Sequence, residues 1–414
     1  MRIAIVSPAV HFHSGPARAT AALVERLCED HQVSVFSHTI DGIDLSKIRH
    51  HKVPAVTRPN FLAYITFLVS STIILAVLSL RKKGGFDIIH SAGCCCAFPT
   101  DVVTSHFCEK EGLRLENSNV IEMPRRTIGQ QLKALDHRAY RRLAAFVEGL
   151  MFGHNSHKAR ITVSQSMKRG FIRHYGDAAE SIIVIPNGVD LKMFSPANRP
   201  IYRERLRLKY DISPSELVLM FAGGDWERKG VLYLIGALAL LPRLDVRLLI
   251  IGSGDEEFYG QLAELKQVRE RIIFVSHSSN PSEYYAASDV FVFPTIYEPF
   301  GLVILEAMAS ALPVITSRVA GAADVIVDGV NGLLLREPSD VNDLAARIEL
   351  LLSNAELRKT MGEYARKTAE DLSWNQVAEK TIDVYVGILA SRNLERPRGS
   401  VPGGLQESFQ GAAS

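Results

Sequence analysis

The fold is decided by the stretch Asp289-Val-Phe-Val-Phe-Pro294, followed by Tyr297-Glu-Pro-Phe-Gly-Leu-Val-Ile-Leu-Glu306-Ala-Met-Ala309. The first run has the apolar, β-rich composition of a buried parallel strand. It leads through a turn containing Pro299 and Gly301 into an apolar segment that is predicted to be a helix. Strand, turn and helix in this order form an α/β unit. The N-terminus of such a helix presents unpaired N–H groups to a ligand at the edge of the sheet.

Two carboxylates frame this unit. Glu298 lies in the turn, and Glu306 lies roughly two helical turns further along, too far away to act on the same atom. The residues around Glu306 leave no polar face, so its helix should be buried and its carboxylate should need a partner. One interpretation is a ligand held at both ends, with phosphates on the amides of Phe300, Gly301 and Leu302. The alternative is an exposed turn residue and a solvated helix residue.

The composition is that of a soluble globular protein. The chain has 414 residues, 47% hydrophobic and 22% charged, with a formal net charge of +2. It therefore has room for two or three domains, and no global charge points to nucleic acid. The five cysteines include a consecutive run at 94–96 and form no Cys-x-x-Cys pair. This pattern predicts reduced thiols in the cytoplasm and argues against disulfides or a structural zinc site.

Short β-rich runs alternate with helical stretches, which is typical of parallel sheets with crossover helices. The predicted strands are Ile3–Ser7, Gln32–Ser37, Asp87–Ser91, Asp101–Ser105, Arg160–Ser164, Ile182–Ile185, Leu217–Phe221, Arg247–Ile251, Ile272–Val275, Val290–Phe293, Pro313–Thr316 and Gly332–Leu335. The predicted helices include Ala17–Asp30, Ile128–Phe152, Gly230–Leu241, Glu256–Arg269, Ser282–Ala287, Gly301–Ser310, Gly321–Val327 and Val341–Ser353. The predicted fold class is α/β, with two doubly wound parallel-sheet domains facing each other across a cleft.

Turn-rich segments between Pro186 and Pro200 mark the predicted domain boundary. We expect a Rossmann-like domain at 1–186 and a second one at 187–372. Residues 373–390 should form a helix that crosses back to the first domain, after a break near Ser373-Trp374. The tail at 391–414 is rich in Pro, Gly, Ser and Arg and is predicted to be disordered.

Two segments raise the question of a membrane. Phe61–Leu80 carries no charge, is followed by Arg81-Lys-Lys83, and is long enough to span a bilayer as a helix. Its Thr and Ser residues, and the strand predicted after it, favour a buried or interfacial crossover helix instead. The helix predicted over residues 128–152 has an apolar stripe with basic flanks, including Arg125, Arg126 and Lys133. This pattern suits the surface of an anionic membrane, and equally an ordinary surface helix.

Further candidate site residues follow other predicted strands. Arg228 and Lys229 open a helix after a glycine turn and could meet a phosphate, although two exposed basic residues on a turn are the simpler interpretation. Gly252 could border a nucleobase or only allow tight packing. The loop at Gly15 could close on a diphosphate or be a flexible surface loop. His106 could meet a sugar hydroxyl in the cleft or be structural.

Several other chemistries lack support. The sequence has no Gly-x-Ser-x-Gly elbow, no His-Glu-x-x-His motif and no cluster of carboxylates and histidines for a metal. The second predicted strand ends in Phe36-Ser37-His38, without the acid that a dehydrogenase uses to bind ribose.

Taken together, these segments resemble the family 4 retaining glycosyltransferases, which have the GT-B fold. The resemblance extends to about Ala390. It is carried by Ile185-Pro-Asn-Gly-Val-Asp190 with Phe194, by the run from Ala287 through Glu298 and Glu306 to Pro313-Val-Ile, and by Asp328-Gly-Val-Asn-Gly-Leu333.

The resemblance implies a nucleotide-sugar donor held mainly by the second domain, and an acceptor held by the first. It implies the following roles, residue by residue: Glu306 binds the ribose hydroxyls, Glu298 with the amides of Phe300 to Leu302 holds the donor sugar and diphosphate, Lys229 binds the diphosphate, the loop at Gly15 approaches the phosphates, and His106 contacts the transferred sugar. Members of the family need no divalent metal, so no metal or other cofactor is expected.

This sequence departs from the family at two places. Many members have Gly-Arg where this chain has Gly223-Gly224, and Arg228 is a candidate for the second positive charge. The family's usual Glu is Asp324 here. The form Gly-Gly-Asp-Trp-Glu-Arg-Lys-Gly looks closer to the lipopolysaccharide-core glucosyltransferases.

The resulting hypothesis is a retaining glycosyltransferase that moves a sugar from a nucleotide diphosphate sugar, expected to be a UDP-sugar, to a hydroxyl of a glycolipid, lipopolysaccharide or polysaccharide acceptor. It would be cytoplasmic, with peripheral contact at the inner face of the cytoplasmic membrane as an option and no nucleic-acid partner. The alternative is a catalytically silent nucleotide-sugar-binding partner on the same fold. An inverting enzyme, a nucleotide-sugar epimerase and a sugar phosphorylase with pyridoxal phosphate are further rivals.

Overall fold

The structure is a computed structural model that describes residues 1–13, 15–80, 85–118, 128–153, 158–176, 181–276, 278 and 280–395. In the N-terminal half the strands are β1 (Arg2–Val6), β2 (Ala9–Val10), β3 (Gln32–Ser37), β4 (Thr39–Ile40), β5 (Ile48–Lys52), β6 (Ile88–Ala92), β7 (Val102–Ser105), β8 (Ala159–Thr162) and β9 (Ile183–Val184). The helices of this half are α1 (Gly15–Asp30), α2 (Asn60–Leu80), α3 (Glu109–Ser118), α4 (Ile128–Gly153) and α5 (Gln165–Tyr175).

The C-terminal half repeats the scheme. Its strands are β10 (Leu217–Ala222), β11 (Val246–Ile251), β12 (Ile272–Val275), β13 (Val290–Phe293), β14 (Val314–Ser317) and β15 (Leu333–Leu335). Its helices are α6 (Arg199–Lys209), α7 (Val231–Leu240), α8 (Glu256–Leu265), α9 (Ser282–Ala287), α10 (Leu302–Ala309), α11 (Val341–Ser353), α12 (Ala355–Glu370) and α13 (Trp374–Glu395).

Both halves form parallel sheets with the same winding. The strand order is β5-β3-β1-β6-β7-β8-β9 in the first sheet and β12-β11-β10-β13-β14-β15 in the second. In each sheet the chain first winds to one side of the opening strand and then continues on the other side. This reversal leaves a crevice at the carboxyl ends of β1 and β6, and a second one at the carboxyl ends of β10 and β13. The predicted α/β class with two Rossmann-like domains is confirmed.

The two domains differ in how their cores are arranged. Alternate residues of β1 point to opposite faces of the first sheet, as strand geometry requires. Ile3 and Ile5 join a cluster with α1 and α13, whereas Ala4 and Val6 join another with Phe67 of α2. The second domain instead has one continuous core, which also extends to Phe152 and Phe171 of the first domain.

Most strand predictions agree with the structure to within one or two residues, and the exceptions have physical causes. Strand β5 was not predicted because its sequence, Ile-Arg-His-His-Lys, is polar and lies at the edge of its sheet, where no residue is buried. The helix predicted over Gly321–Val327 is wrong, since only a short 3₁₀ turn forms at Gly321–Val325. Helix α8 ends at Leu265 rather than Arg269, because Gln267 adopts a left-handed conformation with φ of 59°.

The last helix connects the two halves. α12 ends at Glu370 and α13 begins at Trp374, at the predicted break. α13 then packs against α1 of the first domain, and the Tyr385 hydroxyl lies 2.5 Å from Nδ1 of the buried His90. The disordered tail was predicted to start too early, because α13 continues to Glu395 and Arg392 forms an ion pair with Asp101. Residues 396–414 lie outside the described residues.

Candidate functional site

A cluster of two cations and one carboxylate lies at the crevice of the second sheet. Lys229 follows β10 and Glu298 follows β13, and these strands are neighbours. The Glu298 Oε2 atom lies 3.3 Å from Nη1 of Arg228 and 3.9 Å from Nζ of Lys229. Gly223 allows this approach: it has a φ of +138°, and a Cβ there would lie 2.5 Å from the Lys229 ammonium. The structure therefore brings these three predicted site residues together.

Burial acts differently on the two cations. Burial lowers the pKa of Lys229, although the Glu298 carboxylate opposes this effect. Burial also acts to lower the pKa of Arg228, but Glu298 and Asp225 outweigh it, and the pKa is raised overall. Arg228 is held by Asp225 at 2.6 Å and by the carbonyl oxygen of Tyr297. Arg228 therefore orients the turn that contains Glu298. Lys229 is held less tightly by protein groups, so it is the cation more available to a bound anion.

The start of α10 forms the other side of the cluster. Gly301 precedes the helix with a φ of 94°, a left-handed conformation in which glycine carries no steric penalty. Among the described residues, no hydrogen bond is formed by the N–H groups of Phe300, Gly301 or Leu302 with another protein group. These amides lie at the positive end of a helix dipole, beside the Glu298 side chain that neighbours Lys229. Such an arrangement can hold a diphosphate.

Glu306 lies deeper in the same helix and is saturated by two partners. Its side chain is only 6% exposed. Oε2 accepts a 2.7 Å hydrogen bond from the Tyr285 hydroxyl, and Oε1 forms an ion pair with Nη1 of Arg18. Arg18 belongs to α1 of the first domain, so this pair crosses the cleft. The sequence indicated that Glu306 needed a partner, but neither Arg18 nor Tyr285 was identified.

His106 lies in the first domain, beside a small cavity that the three residues of the cluster do not line. It follows β7 and lines a cavity of about 30 Å³ with His90, Thr104 and Trp374. Desolvation lowers the pKa of His106 to about 4, so its imidazole is neutral near pH 7 and can donate or accept one hydrogen bond. The ring of the next residue, Phe107, packs edge-on against Tyr297 with centroids 5.3 Å apart. Because Tyr297 precedes Glu298, this contact aligns the two strand ends.

The two remaining predicted site residues, Gly15 and Gly252, are glycines that lie in different surroundings. Gly15 is exposed and begins α1 at the cleft. Gly252 follows β11, and a Cβ there would lie 2.4 Å from the carbonyl oxygen of Gly223. Gly252 thus allows the turn that carries Gly223 to pack closely, which is the simpler of the two interpretations of this residue.

Other contacts between the domains involve Pro299, which follows Glu298, and the 3₁₀ turn at Gly321–Val325. The Ser164 hydroxyl donates a 2.8 Å hydrogen bond to the carbonyl oxygen of Pro299. The Asp324 carboxylate accepts a 2.6 Å hydrogen bond from the N–H of Gln165 and so caps α5. Burial raises the pKa of Asp324. The Asp at this position therefore joins the first domain to the 3₁₀ turn at Gly321–Val325, and the Gly321 N–H of that turn donates a hydrogen bond to the carbonyl oxygen of Glu298.

The described part of the chain contains no group of three or more His, Cys, Asp or Glu side chains that could hold a metal ion. The geometry defines a class of protein: two Rossmann-like domains in contact across a cleft, with a lysine and a carboxylate beside the start of a helix. Residues 13–193 match the family model of Glycosyltransferase Family 4, and residues 203–368 match that of Glycosyl transferases group 1. The chain belongs to the family 4 glycosyltransferases.

Individual relatives agree with this assignment. The chain is 32% identical to the lipopolysaccharide glucosyltransferase WaaG of Escherichia coli K12, over 60% of this chain and 67% of that protein. It is also 32% identical to the D-inositol 3-phosphate glycosyltransferase of Pseudarthrobacter chlorophenolicus, over 75% of this chain and 67% of that protein.

Solved structures show the same fold. The crystal structure of WaaG superposes with a TM-score of 0.75 and 25% identity, and the match covers 93% of this chain and 100% of that one. Anabaena HepE, solved in complex with UDP-glucose, has a TM-score of 0.67 at 18% identity, and the match covers 94% of this chain and 100% of HepE. The predicted resemblance to family 4 glycosyltransferases with the GT-B fold is confirmed.

Proposed function

We propose that this glycosyltransferase is a retaining, metal-independent enzyme that moves a sugar from a UDP-sugar to a hydroxyl of a lipid-linked or polysaccharide acceptor of the cell envelope. The observation that carries the proposal is the arrangement around α10. Among the described residues, the N–H groups of Phe300, Gly301 and Leu302 have no protein partner. Glu298, in the same turn, lies 3.9 Å from the Lys229 ammonium, so a diphosphate bound at this turn would meet both the amides and the lysine. UDP is chosen because HepE, which shares the fold, binds UDP-glucose.

The hard step is departure of the nucleotide diphosphate, which gains negative charge as the bond to the sugar breaks. Lys229 and the amides of α10 are fixed in place before reaction, so they stabilise this charge without reorganisation. In the same complex Glu306 would accept hydrogen bonds from the ribose hydroxyls. Glu298, oriented by Arg228, would hold the donor sugar.

The acceptor hydroxyl would attack the anomeric carbon from the side on which the diphosphate leaves. The new carbon–oxygen bond forms as the bond to the β-phosphate oxygen breaks, and the hydroxyl proton passes to that phosphate oxygen. This route retains the anomeric configuration and needs no protein nucleophile. Neutral His106 would hold a hydroxyl of the transferred sugar from the first domain.

The first experiment is a binding panel of UDP-, GDP- and ADP-sugars, without metal, by isothermal titration and thermal shift. It compares the wild type with Glu306→Ala and with Glu264→Ala, a control at an exposed position of α8. We expect one nucleotide class to bind the wild type and the control, and to bind Glu306→Ala more weakly. Turnover with that donor and NMR of the product anomer then test retention.

Each result of the panel has a meaning. No binding of any donor to the wild type would contradict the proposal. Binding without transfer or hydrolysis would favour the catalytically silent partner. An inverted product would overturn the retaining mechanism while leaving the donor site intact.

The proposed lipid-linked acceptor is supported by an apolar surface on the first domain. α2 is the one described helix long and apolar enough to cross a membrane. Only 17% of an apolar stretch of 18 residues in this helix is buried. Its exposed residues recur every three or four positions along one face: Leu62, Ile65, Val69, Ile73, Val77 and Leu80. Because α2 joins β5 to β6 of a single sheet, it cannot span a bilayer without separating that sheet. We propose that this face lies on the membrane surface.

Helix α4 extends the same surface. The Asp136 carboxylate of α4 caps α2 by accepting hydrogen bonds from the N–H groups of Asn60 at 2.9 Å and Phe61 at 3.2 Å. Leu132 and Leu135, within one turn of Asp136, are exposed. Arg138 and Arg142 of α4 are exposed as well, which suits anionic headgroups. The basic residues predicted at 81–83, Arg125 and Arg126 lie outside the described residues, as does the side chain of Lys133.

Vesicle sedimentation tests this surface. The wild type should sediment with vesicles of phosphatidylethanolamine and phosphatidylglycerol, and the double variant Val69→Ser with Ile73→Ser should remain in solution. Leu265→Ser, which removes an exposed leucine of the second domain, should behave as the wild type. Equal sedimentation of the three proteins would contradict the proposal. So would a dimeric wild type that the double variant converts to a monomer, because a second copy would then cover the face.

A further inference from the structure

The ion pair between Arg18 and Glu306 has a consequence for donor binding. It is a contact between the two domains, formed by residues far apart in the chain, and it involves the carboxylate that the proposed function assigns to ribose. A ribose needs accessible carboxylate oxygens to accept hydrogen bonds from its hydroxyls. Here the Glu306 side chain is 6% exposed, with Arg18 on Oε1 and Tyr285 on Oε2.

Arg18 is the movable member of this group. Tyr285 is fully buried in the second domain and belongs to its core. Arg18 is 28% exposed and reaches Glu306 from the other domain. Its Nε atom also donates a 3.0 Å hydrogen bond to the carbonyl oxygen of Phe12, in the loop just before Gly15. One guanidinium thus connects Glu306, the carboxylate proposed to bind ribose, to the loop that contains Phe12.

The same two helices, α1 and α10, also meet through an apolar cluster. Leu302, at the first position of α10, packs with Phe12, Ala19, Ala22 and Trp374. The amide of Leu302 is one of the three proposed to hold the diphosphate. The contacts of Arg18 and Leu302 therefore bring α1 against both ends of the proposed donor site in the empty protein.

We propose that Arg18 is a latch: in the empty enzyme it occupies the position of the ribose hydroxyls on Glu306, and the donor must displace it. This inference rests on the proposed function of Glu306. Binding of the nucleotide then breaks a contact between the domains and releases the loop at Phe12. The empty cleft is kept closed over Glu306, whose carboxylate would otherwise be buried without a cation.

The latch predicts that removing Arg18 strengthens nucleotide binding. A protein whose binding-competent state is only fractionally populated binds with an affinity reduced by that fraction. If the latch is closed in most molecules, Arg18→Met should bind UDP about fivefold more tightly than the wild type, or better. A purely structural arginine would give unchanged or weaker binding when replaced.

Isothermal titration with UDP, GDP and ADP tests the latch on the full chain. Arg26→Met is the matched control, because Arg26 lies on α1 with the same 28% side-chain exposure and bonds to Asn375, at the start of α13. The control should match the wild type within twofold. Arg18→Lys is the second variant. The planar guanidinium of arginine bonds Phe12 and Glu306 through two different nitrogens, whereas a lysine has only one nitrogen for both. Arg18→Lys should also tighten binding, but less than Arg18→Met.

The outcomes separate the latch from the proposed function. Tighter binding by both Arg18 variants, with Arg26→Met unchanged, supports the latch. Equal or weaker binding by the Arg18 variants, with a wild type that binds UDP and a Glu306→Ala variant that does not, overturns the latch but leaves the donor site standing. A wild type that binds none of the three nucleotides overturns the proposed function instead.

Discussion

The two domains share one sheet topology but bury their elements to different degrees. In the C-terminal domain, one continuous core includes residues of every strand and of α10. In the N-terminal domain the core is divided between the two faces of the sheet, and α2 covers one face with few buried residues, Phe67, Ser71 and Leu75. The C-terminal domain also supplies most of the candidate site, whereas the N-terminal domain contributes Arg18 and His106.

This difference matches two kinds of task. Preorganised charges at the start of α10 require a rigid support, since a shift of about 1 Å can cost a hundredfold in rate. A domain that receives varied acceptors, or lies on a lipid surface, needs exposed apolar area instead. We therefore expect function and stability to divide between the domains in this way.

The largest expected effect is on Lys229. Lys229→Ala removes the ammonium proposed to stabilise the leaving diphosphate, and the loss of one such donor costs about 10²–10³ in kcat. Stability should change far less, because burial of the Lys229 ammonium is itself unfavourable and the Glu298 carboxylate keeps Arg228 as a partner. The measurement is kcat with the donor from the binding panel, beside urea unfolding. Lys192→Ala, at an exposed position of the same domain, should keep normal turnover.

A Lys229→Ala variant with near-normal turnover would contradict the role given to the C-terminal cluster. It would move the charge stabilisation to Arg228, whose ties to Asp225 and Glu298 would then have to open in the complex.

The next effect concerns stability of the C-terminal domain. Asp289 is buried and accepts a 2.9 Å hydrogen bond from the N–H of Val218, while Arg199 and Arg203 approach its Oδ1 at 2.8 and 2.9 Å. Arg207, which is buried, lies 3.5 Å from Oδ2. Asp289→Asn leaves these cations without a counter-charge, and breaking the buried pair with Arg207 should cost about 3 kcal/mol or more. We expect that loss in the free energy of unfolding by urea. Asp245→Asn, which removes an exposed ion pair with Arg243, should cost about 1 kcal/mol or less.

The two domains also differed in how much the sequence predicted. Strands β10 to β15 are short apolar runs in a buried sheet, so local composition was enough to locate them. In the N-terminal domain, the polar edge strand β5 and the charged helix α3 follow no such pattern. The grouping of Lys229, Glu298 and the α10 amides could be predicted because parallel strands end at the same edge. The pairing of Arg18 with Glu306 joins residues 288 positions apart, and only the packing of one domain on the other determines it.

A third prediction concerns acid stability of the N-terminal domain. Burial lowers the pKa of His90 to about 3, and its ring nitrogens contact the Tyr385 and Thr104 hydroxyls at 2.5 and 2.7 Å. The unfolded chain binds the proton near pH 6.5, whereas the folded protein does not until near pH 3, so acid favours unfolding. Between pH 7 and pH 5, His90 should reduce the free energy of unfolding by about 2 kcal/mol.

Urea unfolding at pH 7 and at pH 5 measures this contribution of His90 to the free energy of unfolding. His90→Asn should be less stable than the wild type at pH 7 but should lose about 2 kcal/mol less on going to pH 5. His137→Gln, at an exposed position of α4, should keep the dependence of the wild type. An unaltered dependence in His90→Asn would mean that His90 is not what makes this domain sensitive to acid.

The smallest expected effect is on the surface of α2. Ile73 is 56% exposed and Leu75, two positions on in the same helix, is 1% exposed. Ile73→Ser should change the free energy of unfolding by no more than about 0.5 kcal/mol, whereas Leu75→Ala should cost about 2 kcal/mol or more, because it leaves a cavity in the core. Urea unfolding without lipid measures both. If Ile73→Ser is as damaging as Leu75→Ala, the face of α2 is buried in the free protein, and the contrast between the two domains would be lost. A small effect would show that Ile73 contributes little to the stability of the free protein and is accessible for the lipid contact proposed for this face.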